Sequence, residues 1–170
     1  LTHMARDNQG GGAILALSHE IDYAVWLFGF PKSVYAIGNH YTDLEIDVED
    51  SADIMLKVPS PIGDVSIRCH VDFIQSPPER FCHIIFEYGT VKWDYFENIV
   101  HVFNSKNKIK ESFKFSEFKR NDMFNDELKH FISCLEVGGK PMVSILNGVD
   151  LLKVCVAAKD SIKTGKVVVI

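Results

Sequence analysis

The segment GGGAILALSHEIDY, Gly10 to Tyr23, sets one histidine in an apolar run and an aspartate three residues after it. Histidine changes charge near neutral pH without help from its surroundings. His19 is therefore a candidate for acid–base work. On a helix, residues three apart are neighbours, so Asp22 could hydrogen-bond the imidazole and hold its tautomer and orientation. The plainer alternatives are a structural histidine and a surface carboxylate.

The element that must position this pair reads as a helix over Ala13 to Phe28, with a glycine-rich start and Gly29 and Pro31 as stop signals. At 100° per residue its apolar side chains separate into two groups. Ile14, Leu17, Ile21, Val25 and Phe28 form a stripe that should face a sheet. Leu15, His19, Asp22, Tyr23 and Trp26 lie on a second face, suited to meet another domain, a ligand or both. Gly10 to Gly12 would permit close backbone approach where the helix begins. They are not a dinucleotide fingerprint, which follows a strand within a βαβ unit.

Strand-like segments follow at Lys32 to Tyr41, Ser51 to Val58 and Asp64 to Phe73. The third alternates cleanly, with Val65, Ile67, Cys69, Val71 and Phe73 on one side and Ser66, Arg68, His70 and Asp72 on the other. That polar side is either solvent-facing or a wet surface used against another subunit. Arg80 to Phe96 reads as a hairpin turning near Tyr88, Gly89 and Thr90, and Asn98 to Asn104 and Glu111 to Ser116 extend the meander. A helix around Met123, Phe124, Leu128, Phe131, Ile132 and Leu135, a second over Ser144 to Thr164, and a short strand KVVVI close the chain. The layout is α+β: an open, largely antiparallel sheet with helices packed on one face.

Composition narrows the function classes. The chain has 170 residues, enough for one domain with a real core. Its net charge of −5 argues against nucleic acid, which needs a concentrated basic surface. The basic run from Asn104 to Arg120 is interrupted by Glu111 and Glu117 and reads as a solvated strand and loop. No apolar run approaches the ~20 residues of a membrane span, and no signal-peptide pattern is visible. Cys69, Cys82, Cys134 and Cys155 are widely spaced, which points to a reduced, cytoplasmic protein and not a disulfide framework. The histidines show no H-x-x-x-H or H-E-x-x-H spacing, so no metal site is expected.

Two stretches together carry a family resemblance. GGGAILALSHEIDYAVWLFG, preceded by MARDNQ, resembles the start of the C-terminal domain of the Gfo/Idh/MocA family of NAD(P)-dependent sugar oxidoreductases, in the branch reading G-G-G, then L-S-H-E-I/L-D-Y and W-L-F-G. The final fifty residues, from NDMFNDELKHF to GKVVVI, are similar to that family's terminal pattern. The resemblance implies a two-domain parent with an N-terminal Rossmann domain for NAD or NADP. Residues 1–170 would form its substrate-binding and oligomerisation domain. It implies hydride transfer between NAD(P) and a hydroxyl-bearing carbon of a sugar, sugar nucleotide or cyclitol, and a dimer or tetramer formed through the open sheet face.

By this resemblance His19 is the histidine beside the reacting hydroxyl, supported by Asp22. Arg6 matches the arginine before the glycines and, with Gly11, Gly12 and Tyr23, would contact substrate. Two departures stand out. Many relatives carry an acidic residue one turn before the histidine, where this chain has Ala16. The lysine of the family's E-K-P motif and the Rossmann half are not in this sequence, so these residues alone are not expected to turn over. A catalytically incomplete binding or assembly module remains the alternative.

Overall fold

The computed structural model describes residues 3–170. Two 3₁₀ turns, His3–Ala5 and Asp7–Gln9, lead into the glycines. The helices and strands that follow are α1 (Ala13–Ala16), α2 (Ser18–Phe28), β1 (Ser33–Asn39), β2 (Ser51–Val58), β3 (Val65–Asp72), β4 (Phe81–Phe86), β5 (Gly89–Asp94), β6 (Ile99–Asn104), β7 (Ile109–Lys114), α3 (Arg120–Val137), α4 (Ile145–Thr164) and β8 (Val168–Val169). The expected α+β class is observed, as two four-stranded antiparallel sheets. The chain divides into two compact units. One combines Leu1–Ile74 with Val143–Ile170, and the other is Gln75–Met142.

The first unit holds a sheet in the order β3-β2-β1-β8. Period-2 alternation in β2 buries Ala52, Ile54, Leu56 and Val58 while Met55 and Lys57 face out. Register places Ile54 beside Ala36 of β1 and Cys69 of β3, which share the inner face. Helices α1, α2 and α4 cover that face with Ile14, Ile21, Ala24, Val154, Cys155, Ala157 and Ala158. Ser161, fully buried on α4, accepts the Ala36 N–H at 2.9 Å and donates to the Lys166 carbonyl at 2.6 Å. One hydroxyl thus satisfies two main-chain groups and ties α4 to β1. Ser144 opens α4 with a reciprocal capping box to Asn147.

The expected continuous helix over Ala13 to Phe28 is instead two helices. At Leu17 (φ −108°, ψ 25°) the backbone leaves the helical basin, and the ladder restarts with the Glu20 N–H on the Leu17 carbonyl at 2.9 Å. Alanine and leucine are good helix formers, so tertiary packing and not local propensity sets the break. The stripe reading holds across it: Ile14 and Ile21 are fully buried, and Leu17, Val25 and Phe28 pack against the core. Leu15, expected on the second face, also packs against the core.

The second unit is a meander in the order β4-β5-β6-β7, followed by α3. Cross-strand register gathers Ile84, Val91 and Val102 with Trp93, Val100 and Phe113 on one face, and His83, Lys92, His101 and Ser112 on the other. The Arg80 guanidinium lies over the Tyr95 ring, 4.7 Å from its centroid. Helix α3 ends on Gly138 in the left-handed region, as the sequence predicts. Its apolar stripe from Met123 to Leu135 is exposed, and α3 does not pack along β4–β7.

Candidate functional site

The start of α1 is built from glycines pressed against their own chain. Gly12 (φ +106°) occupies a backbone region that L side chains avoid, and a Cβ there would overlap the Glu49 carboxylate. A Cβ on Gly11 would lie 2.7 Å from the Arg6 carbonyl oxygen. The close approach expected at these residues is therefore occupied by the protein itself. Glu49 takes both leading amides of α1: its main-chain carbonyl accepts the Ala13 N–H at 2.9 Å and its carboxylate the Ile14 N–H at 3.2 Å. A carboxylate at a helix N-terminus also complements the helix dipole.

A ring of charge fixes this arrangement. Lys159 of α4 is mostly buried and holds Asp7 at 3.1 Å, with Glu49 at 3.9 Å and the Gly11 carbonyl at 3.4 Å. Arg6 pairs with Asp47 at 3.4 Å, and Asp47 also accepts the Asp7 N–H at 2.7 Å. The loop supplying Asp47 and Glu49 is pinned by Asp50, which is fully buried. Its carboxylate accepts the Tyr41 and Thr42 N–H groups at 3.0 Å each and the Thr42 hydroxyl at 2.7 Å. Burial alone would raise the Asp50 pKa. The bonds from Thr42 and Tyr41 and the charge of His40 outweigh it and hold the group below the ordinary carboxylate value.

His19 stands in the first turn of α2 with about half of its side chain exposed. Its Nε2 lies 3.0 Å from Glu20 Oε1, and the Glu20 side chain is only 15% exposed. The partner expected from spacing, Asp22, does not take this place. Its charge bears instead on Cys155 of α4, where burial and then Asp22 push the thiol pKa up to about 11. Tyr23 is half-buried, whereas Trp26 is 79% exposed and Leu27 and Phe30 also face out. The second face of the helix is thus partly apolar and open around Trp26, as its composition predicts.

Two open concavities lie in the first unit, and His19 lines neither. One of about 370 Å³ is bordered by Asp7, His40, Asp47, Glu49 and Lys159, and one of about 390 Å³ by Tyr35, Met55, Lys57 and Asp64. Among the described residues no three His, Cys, Asp or Glu side chains are placed to hold a metal ion. Gly11 and Gly12 offer no cradle for a dinucleotide pyrophosphate, because they are buried against Met4, Arg6 and Glu49. No described helix is long and apolar enough to cross a membrane.

Sequence reasoning singled out Arg6, Gly11, Gly12, His19, Asp22 and Tyr23. The structure brings Arg6, Gly11 and Gly12 into the charged ring and sets His19 on Glu20. Glu20, Asp47, Glu49, Asp50 and Lys159 were missed. The acidic run from Asp43 to Asp50 was the available signal, but such a run reads equally as a solvated loop.

Solved structures share this fold. An oxidoreductase domain protein from Kribbella flavida matches 100% of the chain at 14% identity and a TM-score of 0.84, over 53% of its own length. The aldose-aldose oxidoreductase of Caulobacter crescentus, complexed with glycerol, matches 95% at 21% identity and a TM-score of 0.78, over 48% of its length. The WlbA dehydrogenase of Bordetella pertussis, in complex with NADH and UDP-GlcNAcA, matches 94% at 24% identity and a TM-score of 0.71, over 46% of its length. The chain spans about half the length of these structures. No curated protein sequence matches it. Residues 2–92, more than half of the chain, match the GFO/IDH/MocA C-terminal domain, and the chain belongs to that family.

Proposed function

We propose that this chain is the substrate-side domain of an NAD(P)-dependent oxidoreductase acting on a hydroxyl-bearing carbon of a sugar, sugar nucleotide or cyclitol. The observation that carries the reading is the half-exposed His19 imidazole, presented in the first turn of a helix and partnered by a mostly buried carboxylate. In the oxidative direction the carbinol carbon gives up a hydride and its hydroxyl gives up a proton. His19 takes that proton and the product is a carbonyl. The hydride acceptor, NAD or NADP, is assigned to a dinucleotide-binding domain of a longer protein, in keeping with Gly11 and Gly12 being packed against their own chain. Arg6 and Tyr23 are assigned to substrate contact. Gly11 and Gly12 act through the position of the helix start, and Asp22 has no assigned part in orienting the base. The bound glycerol and UDP-sugar of the Caulobacter and Bordetella proteins agree with a polyol-type substrate.

The test is His19→Gln in the full-length protein. Loss of the base should lower kcat by about 10²–10⁴-fold with little change in thermal unfolding, because about half of the His19 side chain is exposed. Undiminished kcat would sink the reading. The apolar sheet face of the second unit favours an accompanying role in assembly, as a dimer or tetramer. A monomer at all concentrations in sedimentation would remove that role.

A further inference from the structure

The pleat of the second sheet sorts charges that the sequence mixes. Glu111 of β7 falls opposite Val102 on the apolar face, while its neighbours Lys110 and Lys114 fall on the other, opposite Phe103 and Ile99. Register sets Lys92 on that same face, between His83 and His101. None of the three lysines has an ion pair among the described residues, and Lys92 Nζ lies 5.8 Å from the centroid of the Phe81 ring. Asp94, on the same face, is committed to the Phe96 and Glu97 N–H groups at 3.1 Å. Phe81 and Phe103 are exposed. The result is a basic sheet face with open aromatic rings and no counter-charge for its lysines.

The complement stands on the first unit. Acidic and basic side chains balance within residues 75–142, so the net charge of −5 resides in the first unit. Its loop between β1 and β2 carries Asp43, Leu44 and Glu45, all exposed, and neither carboxylate has a partner among the described residues. The shape of this tip is fixed from within. Buried Asp50 accepts the Tyr41 and Thr42 N–H groups, the Thr42 hydroxyl accepts the Leu44 N–H at 3.4 Å, and the Leu44 carbonyl accepts the Ile46 N–H at 2.8 Å. A loop held this way loses little freedom on docking. We propose that the Asp43–Glu45 tip of one copy docks on the Lys92, Lys110 and Lys114 face of a second copy. The tip matches both features of the face: an apolar residue flanked by carboxylates meets rings flanked by lysines. In a two-fold dimer each copy offers both halves, so the contact is made twice. Opposite charge speeds and orients the encounter, and salt weakens it. The contact uses the side of the second sheet opposite its apolar face and is independent of the chemistry assigned to His19.

Charge reversal in the full chain tests the contact, with sedimentation equilibrium reading the Kd of self-association. Asp43→Lys with Glu45→Lys makes the tip basic, and Lys110→Glu with Lys114→Glu makes the face acidic. Each paired variant should self-associate about tenfold or more weakly than wild type, because like charges then meet. An equimolar mixture of the two should recover wild-type association, since tip and face are again opposite in sign at both contacts. Wild type itself should lose affinity as salt rises to about 0.5 M. Should a reversed pair fail to fold, the neutral pair Lys110→Gln with Lys114→Gln carries the same test and should weaken association in the same direction. A wild type that is monomeric at all concentrations overturns the proposal, as does a mixture that associates no better than either variant. Variants that associate as wild type does overturn it too, and assign self-association to another surface. A monomer that binds heparin through Lys110 and Lys114 would give the face to an anionic partner instead.

Discussion

The two sheets of this chain have similar ladders and opposite fates for their side chains. In the first unit β2 buries every second residue, and helices close over them. In the second unit β4–β7 pair just as regularly and one face is rich in isoleucine, valine and tryptophan, yet no residue of 75–142 is buried. Alternation and strand pairing are therefore not enough to make a core, which needs a covering layer. The first unit has α1, α2 and α4 as that layer, whereas α3 keeps its apolar stripe exposed and does not lie along its own sheet. Folding free energy should be concentrated where side chains leave water.

Truncation of apolar side chains is the sharpest way to break that contrast. Ile54→Ala, at a fully buried position, should cost about 2–5 kcal/mol. Ile85→Ala, at a position 76% exposed, should change stability by about 0.5 kcal/mol or less. Urea unfolding of the two variants reads the difference, and equal losses would show that the second sheet is covered in solution. A smaller effect separates two aspartates. Asp50→Asn removes charge-assisted bonds inside the first unit and should cost about 2–3 kcal/mol. Asp94→Asn, whose acceptor caps an exposed turn to the Phe96 and Glu97 amides at 3.1 Å, should cost no more than about 0.5 kcal/mol.

The Asp50 effect carries a pH signature. Its folded-state pKa is depressed, so its contribution is fully present above the unfolded carboxylate value of about 3.9. It is lost as pH falls through the lower folded value. Wild type and Asp50→Asn should therefore converge in stability in strong acid and differ most near neutrality, as unfolding midpoints across pH would reveal. The smallest perturbation is chemical labelling. Cys155, buried with its pKa at about 11, should resist a thiol reagent at pH 8 while the half-buried Cys82 and Cys134 react. Mass spectrometry counts the adducts, and early labelling of Cys155 would mean that the first unit opens readily.

The same contrast sets how far the fold could be read from sequence. Periodicity found the helices and strands, because burial of one face leaves a pattern in composition. It placed Ile14 and Ile21 inside and Val65, Ile67, Cys69 and Val71 on the core side of β3. It could not say that α3 lies off its sheet, since an amphipathic stripe looks the same whether covered or bare. Nor could it mark the break at Leu17, where residues of high helix propensity yield to packing. For the site, residue type pointed to His19, but spacing favoured Asp22 as its partner. Adjacent residues on a regular helix diverge, and Glu20 reaches the imidazole from within the first turn. Glu49 and Lys159 meet the glycines from far along the chain, and local pattern carries no trace of such meetings.

The tie between Ser161 and Ala36, and the pairing of β8 with β1, have a consequence for how the chain is made. The first unit cannot close until its last residues leave the ribosome, because α4 and β8 supply one wall of its core and the final strand of its sheet. The meander β4–β7, whose strands pair only with their sequence neighbours, can form while α4 is still being translated. Throughout that interval Ile54, Leu56 and Val58 lack part of their cover. A nascent chain stalled within α4 would present a finished meander beside an unfinished core, the species most in need of a chaperone.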